Sequence, residues 1–67
     1  MVSIGDNIRK YRKTNNITQK ELGEAIGNSN TYLSDIETGR TNPSIKTLKK
    51  IAKGLEINYI ELLKDTE

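Results

Sequence analysis

An all-α fold class follows from three features of the chain. Apolar residues recur at intervals of three and four, not two, beginning with Ile4, Ile8 and Tyr11. Helix-boundary residues punctuate these runs, with Ser or Thr ahead of them and Gly behind. No stretch alternates apolar and polar residues as a half-buried strand does. The 67 residues make one domain, 1–67, whose core is only marginally sufficient at this size.

The first helix is predicted from Ser3 or Ile4 to about Thr14, with Ile4, Ile8 and Tyr11 as its stripe. Arg9, Lys10 and Lys13 fall outside that stripe. Arg12 lies at its edge, where a cation calls for a partner. Asn15 and Asn16 break the helix, because Asn tolerates turn geometry. A helix pair follows at about 18–38. Thr18 with Glu21 forms a capping box, and Ile17 is placed to staple against Leu22. Leu22, Ala25 and Ile26 share one face, and Gly27 ends the helix in a left-handed conformation. Gly23, inside this helix, costs about 1 kcal/mol relative to Ala; close approach of the second helix is its expected reason. Ser29 caps that second helix, which runs from about Asn30 to Thr38 and stops at Gly39.

The second helix of the pair has two unlike faces. Leu33 and Ile36 point one way. Asn30, Thr31, Ser34, Asp35 and Thr38 occupy a sector of roughly 140° on the other side. An apolar back and an amide- and hydroxyl-rich front, on a short helix held by a turn, suit insertion into a DNA groove. A loop from Gly39 to Pro43 leads to Ser44, the expected cap or first-turn residue of a fourth helix. Its stripe is Ile45, Leu48, Ile51, Ala52 and Leu55, ending about Gly54, with Lys46, Lys49, Lys50 and Lys53 opposite. Ile57, Ile60 and Leu63 predict a short fifth helix, with Tyr59 and Leu62 on its other side. Apolar residues on both sides exceed the need of one small core, so this segment, about 57–64, is a candidate dimerisation helix built from Ile57, Tyr59, Ile60, Leu62 and Leu63.

Charge is distributed in blocks. Residues 1–20 sum to +4, residues 21–39 to −4, residues 40–53 to +5 and residues 54–67 to −3, for a net charge of +2. The helix pair is acidic and its flanks are basic, so attraction to phosphate must come mostly from the flanks. The chain has no Cys and no His, which removes a disulfide framework and the usual metal and nucleophile chemistry. Glu21 and Glu24 share an exposed helical face with no partner for acid–base work. No catalytic residue, cofactor or metal is expected, and the chain is not expected to be an enzyme. The expectation is a soluble cytoplasmic protein with no signal peptide, no membrane span and no small-molecule sensor.

The order I-x-x-Y-R-x-x-x-x-x-T-Q-x-E-L-x-x-x-I-G, then S-x-x-Y-L-S-x-I-E-x-G-x-x-N-P-S, then L-x-x-I-A-x-x-L resembles the Cro/cI (Xre-type) helix-turn-helix repressors over about Ile4 to Leu63. The segment T-Y-L-S-D-I-E-T-G-R-T-N-P-S looks closest to the DNA-binding domain of the SinR-like regulators. The resemblance implies a compact five-helix lambda-repressor-like domain. Its third helix would enter the major groove, as part of a homodimer on a near-palindromic double-stranded operator. Carried over by position, Asn30, Thr31, Ser34 and Asp35 take base-reading places. Thr18, Gln19, Ser29, Thr38, Arg40, Ser44 and Lys46 lie toward phosphates, and Arg12 with Glu37 matches an internal salt bridge.

Three positions depart from the pattern. Gly23 stands where the family usually has Ala, Asn28 where an apolar residue packs under the turn, and Asp35 where Gln, Lys, Arg or Ala is common. Helix three carries no Lys or Arg from Asn30 to Thr38. Asn30 and Thr31 therefore predict an A·T-leaning half-site, and Asp35 is expected to exclude wrong bases by repulsion. The leading function is a sequence-specific transcriptional regulator, a repressor in kind. The alternative is an antitoxin or another protein-interaction module that uses the helix-turn-helix as a scaffold.

Overall fold

A computed structural model describes residues 3–66 and has four α-helices: α1 (Ile4–Thr14), α2 (Gln19–Ile26), α3 (Asn30–Glu37) and α4 (Ile45–Gly54), followed by a 3₁₀ segment, Tyr59–Leu63. Each α-helix begins on a hydroxyl cap. Ser3 accepts from Asp6 N–H and Thr18 from Glu21 N–H, each closing a reciprocal capping box; Ser29 accepts from Tyr32 N–H and Ser44 from Thr47 N–H. These hydroxyls satisfy orphan backbone donors, so each start is fixed by one residue. Gly27 ends α2 at φ +77°, where a Cβ would be strained. Asn16 makes the α1–α2 break at φ 56°.

The core is one cluster of Ile8, Leu22, Ile26, Leu33, Ile36, Leu48, Ile51, Ala52, Leu55 and Leu62. Ile4 and Tyr11 pack against it half-buried, whereas two expected stripe residues, of α2 and α4, are neither in it nor packed against it. Ala25 is exposed, because α2 buries Leu22, Gly23 and Ile26 and so turns its 25 position outward. Ile45 is 53% exposed; as the first residue of α4 it precedes the point, at Leu48, where the stripe reaches the core.

The predicted fifth α-helix is instead the 3₁₀ segment. Its apolar residues recur every three positions, which is the 3₁₀ repeat and not the α repeat of 3.6. Asn58 fixes the local geometry: its side chain accepts from Ile60 N–H and its carbonyl from Glu61 N–H. The buried Asn7 amide donates to the carbonyls of Leu62 and Lys64, both at 2.9 Å, and so takes up carbonyls at the end of the segment. Leu62 points into the core, Ile57, Tyr59 and Leu63 are half-buried against it, and Ile60 turns outward. Leu62 is fully buried in the core and drops out of the expected dimer surface, whereas Ile60 is 54% exposed.

Two glycines set helix approach. A Cβ on Gly23 would lie 2.8 Å from the Asn28 carbonyl oxygen. The neighbour that requires Gly is thus the turn leading into α3, not the body of the helix. Gly5, which the sequence does not single out, is buried where α1 crosses the end of α3. A Cβ there would collide with the Ile36 carbonyl oxygen and lie 3.0 Å from Glu37 backbone carbons.

Candidate nucleic-acid interface

Helix α3 is held by its back and by its C-terminal end. Leu33 and Ile36 are buried in the core, while Asn30 and Thr31 are exposed and Ser34 and Asp35 partly so. The front is thus a continuous polar surface of amide, hydroxyl and carboxylate. At the C-terminal end, Glu37 is buried and receives a fork from α1. Arg12 Nε lies 2.7 Å from Glu37 Oε2, and Arg12 Nη2 lies 3.0 Å from Oε1. The remaining Arg12 nitrogen, Nη1, donates to the Ile17 carbonyl at 2.9 Å. The two side chains retain only 11% and 3% of their exposure. A planar bidentate pair of this kind fixes orientation as well as distance, so it sets how α3 projects from α1.

Gln19 joins the same cluster. Its Nε2 donates to Glu37 Oε1 at 3.2 Å, bringing the start of α2 beside the end of α3. Expected from the resemblance to face phosphate, its amide here has an internal partner. Thr18 is exposed next to it, and its hydroxyl accepts from Glu21 N–H. Ser29, exposed at the start of α3, has the same arrangement with Tyr32 N–H. Helix starts carrying unspent donors favour anions. The hydroxyls of two other expected phosphate residues are engaged within their own elements: Thr38 donates to the Ser34 carbonyl at 2.8 Å, and Ser44 to the Thr47 hydroxyl at 3.1 Å. Lys46 and Arg40 are exposed.

Several charged side chains of the domain are set by local partners. The Glu21 carboxyl is held below its ordinary value, first by its bond from Thr18 N–H and then by the Thr18 hydroxyl. The Glu61 carboxyl is lowered, first by Lys64, whose own ammonium is raised by that bond. Two basic residues lie against aromatic faces, Lys10 over Tyr11 and Lys49 over Tyr59, at 5.7 and 5.3 Å from the ring centroids. Asp35 faces Arg40, whose Nη1 is 3.9 Å from Asp35 Oδ1.

Periodicity alone misses Asn7 and Gly5. Asn7 adjoins Ile8, and a polar residue beside an apolar stripe was the available signal. Among the described residues, no helix is long and apolar enough to cross a membrane.

Comparison with known proteins supplies the family. The helix-turn-helix model, of Cro/cI type, matches residues 8–62. The chain is 45% identical over 64 residues to the ImmF control region 10 kDa protein of Bacillus phage phi105, covering 96% of this chain and 70% of that protein. It is 41% identical over 61 residues to the HTH-type transcriptional regulator SinR of Bacillus subtilis (strain 168), covering 90% of this chain and 55% of SinR. The chain thus spans little more than half of that regulator. The structure of SinR, the master regulator for biofilm formation, in complex with DNA superposes with a TM-score of 0.84 at 40% identity, covering 91% of this chain and 98% of that one.

Proposed function

The chain belongs to the Cro/cI-type helix-turn-helix family, and from that premise we propose that it is a sequence-specific transcriptional regulator, a repressor in kind, that inserts α3 into the major groove of double-stranded DNA. One observation carries this reading: α3 presents an exposed polar front, Asn30 to Asp35, on a back that is buried and clamped by Arg12, Gln19 and Glu37. Asn30 can bridge adenine N6 and N7, and the Thr31 methyl can meet a thymine methyl. Thr18, Ser29 and Lys46, all exposed, supply phosphate contacts around that front. Gln19 keeps its bond to Glu37 and so orients the end of α3. DNA shape contributes the remainder of the preference. Its place of action is the cytoplasm, as for a regulator of a bacterial or phage genome.

Phosphate contacts release counterions, so the logarithm of affinity is expected to fall with the logarithm of salt by about −0.9 per phosphate neutralised. Titration of a random duplex by fluorescence anisotropy at several salt concentrations tests this. A steep slope supports the reading. Affinity flat from low to moderate salt contradicts it and favours the protein-interaction module.

The regulator acts as a symmetric homodimer on a near-palindromic operator, with the two α3 helices one DNA turn, about 34 Å, apart. Ile60 is the centre of the contact, with the half-buried Ile57, Tyr59 and Leu63 around it. An exposed apolar residue within an apolar rim is the supporting observation. Sedimentation is expected to give a dimer for the wild type on DNA and a monomer for Ile60→Asp. A monomer for the wild type, both free and DNA-bound, contradicts the assignment.

A further inference from the structure

Gly39 turns the chain back on itself at the end of α3. With its φ at +81°, the Arg40 N–H donates to the Asp35 carbonyl at 2.8 Å and the Thr41 N–H to the same oxygen at 3.3 Å. The backbone of Arg40 is thereby fixed against the residue that carries the only carboxylate of the α3 front. Its guanidinium lies toward that carboxylate, Nη1 to Oδ1 at 3.9 Å, with 79% of the side chain still exposed. An exposed pair at this distance contributes little to stability. Its consequence is positional: it puts a cation at the edge of a face that has none of its own.

The pair also changes the meaning of Asp35. A lone carboxylate on a groove-facing helix repels phosphate, and the sequence reading assigns it that role. Beside Arg40 its charge is balanced. A guanidinium has five donors in a planar fork, and contact through one terminal nitrogen leaves other donors for a planar pair of acceptors. In the major groove that pair is guanine N7 and O6. A phosphate-binding arginine gains nothing from a neighbouring carboxylate, which opposes the same phosphate. An arginine aimed at a base edge gains orientation.

Building on the DNA-binding reading above, we propose that Arg40 reads a guanine in the major groove and that Asp35 is the positioning residue that aims it. The half-site then joins an A·T-leaning part, met by Asn30 and Thr31, to one G·C pair met from the end of the helix.

Selection from a random duplex pool with wild type, Arg40→Ala, Arg40→Lys and Asp35→Asn tests this, with a thermal melt of each variant to show that it is folded. The wild-type pool is expected to hold guanine at one fixed position per half-site. Arg40→Ala and Arg40→Lys lose that guanine and no other position, since Lys keeps the charge but not the fork. Affinity of Arg40→Ala for the wild-type-selected duplex falls about ten- to a hundredfold, the range of one good bidentate contact, and for random duplex much less. Asp35→Asn weakens the guanine preference with Arg40 still present. An equal loss on both duplexes in Arg40→Ala, with the preference intact and the salt slope reduced by about one, makes Arg40 a phosphate contact and overturns the inference. An unchanged preference in Asp35→Asn overturns the positioning role. Enrichment that carries no Arg40-dependent guanine overturns this inference alone, whereas no enrichment with wild type overturns the DNA-binding reading as well.

Discussion

Glu37→Ala is expected to lower the melting temperature by more than about 12 °C, because it strands the Arg12 guanidinium in a nearly dry site. Removing one member of a buried pair costs roughly 3–5 kcal/mol. In a domain of this length each kilocalorie shifts the melting temperature by about 4–8 °C. The geometry is what places the pair in that class. It is bidentate at 2.7 and 3.0 Å, and the side chains keep 11% and 3% of their exposure. The same change removes the acceptor of the Gln19 amide. A chain this long is stable by only about 3–10 kcal/mol in total, so the variant is close to unfolded at room temperature. Replacing both partners, as Arg12→Met with Glu37→Leu, removes the stranded charge and is expected to recover much of the loss. Thermal melts followed by far-UV circular dichroism decide the matter. A Glu37→Ala melt within a degree or two of wild type means that the pair behaves as a surface one.

Gly5→Ala is the second large effect, and its sign is opposite to what helix propensity gives. In an exposed helix, Gly→Ala stabilises by up to about 1 kcal/mol. Here the added methyl meets the Ile36 carbonyl oxygen and the Glu37 backbone, none of which can rotate away. Helix α1 must move off α3, and the Arg12–Glu37 fork opens with it. Overpacking of this kind costs about 1–3 kcal/mol and sometimes more. Gly54→Ala is the internal control: its nearest neighbour is Leu22 Cδ1, the end of a flexible side chain, at 2.9 Å. Denaturant unfolding is expected to show a clear loss of midpoint for Gly5→Ala and a much smaller change for Gly54→Ala. Comparable stability in Gly5→Ala and wild type would show that the two helices do not pack this closely.

Local chemistry was legible in the sequence where a single residue decides it. The caps at Thr18, Ser29 and Ser44 and the stop at Gly27 follow from hydroxyl and glycine chemistry within one turn of chain. The two-faced character of α3 follows from its spacing. What required the fold are the relations between elements. The periodicity of α1 puts Arg12 only at the edge of a stripe; its partner Glu37, 25 residues on, came from the family resemblance, and the bidentate fork from the fold. Asn7 looks like an ordinary polar neighbour of Ile8 until the 3₁₀ carbonyls arrive 55 and 57 residues later. The three-residue spacing of Tyr59 with Leu62 and of Ile60 with Leu63 fits a 3₁₀ turn better than an α-helix, and spacing alone did not separate the buried Leu62 from the exposed Ile60. The resemblance set Arg40 toward phosphate; its place beside Asp35 needed the fold, because it lies outside α3 in sequence and the left-handed Gly39 returns it to the edge of that helix.

The central claim is that the front of α3 reads DNA sequence. The measurement that tests it most directly is the ratio of dissociation constants on a selected duplex and on a scrambled one at fixed salt. It is made for wild type and for a double variant, Asn30→Ala with Thr31→Ala, both of whose changed positions are exposed. Wild type is expected to prefer the selected duplex by about a thousandfold or more, the lower bound for specific regulators. The double variant is expected to lose most of that ratio while binding the scrambled duplex with the salt dependence of wild type. A wild-type ratio near one, or a ratio that the double variant leaves unchanged, contradicts the account.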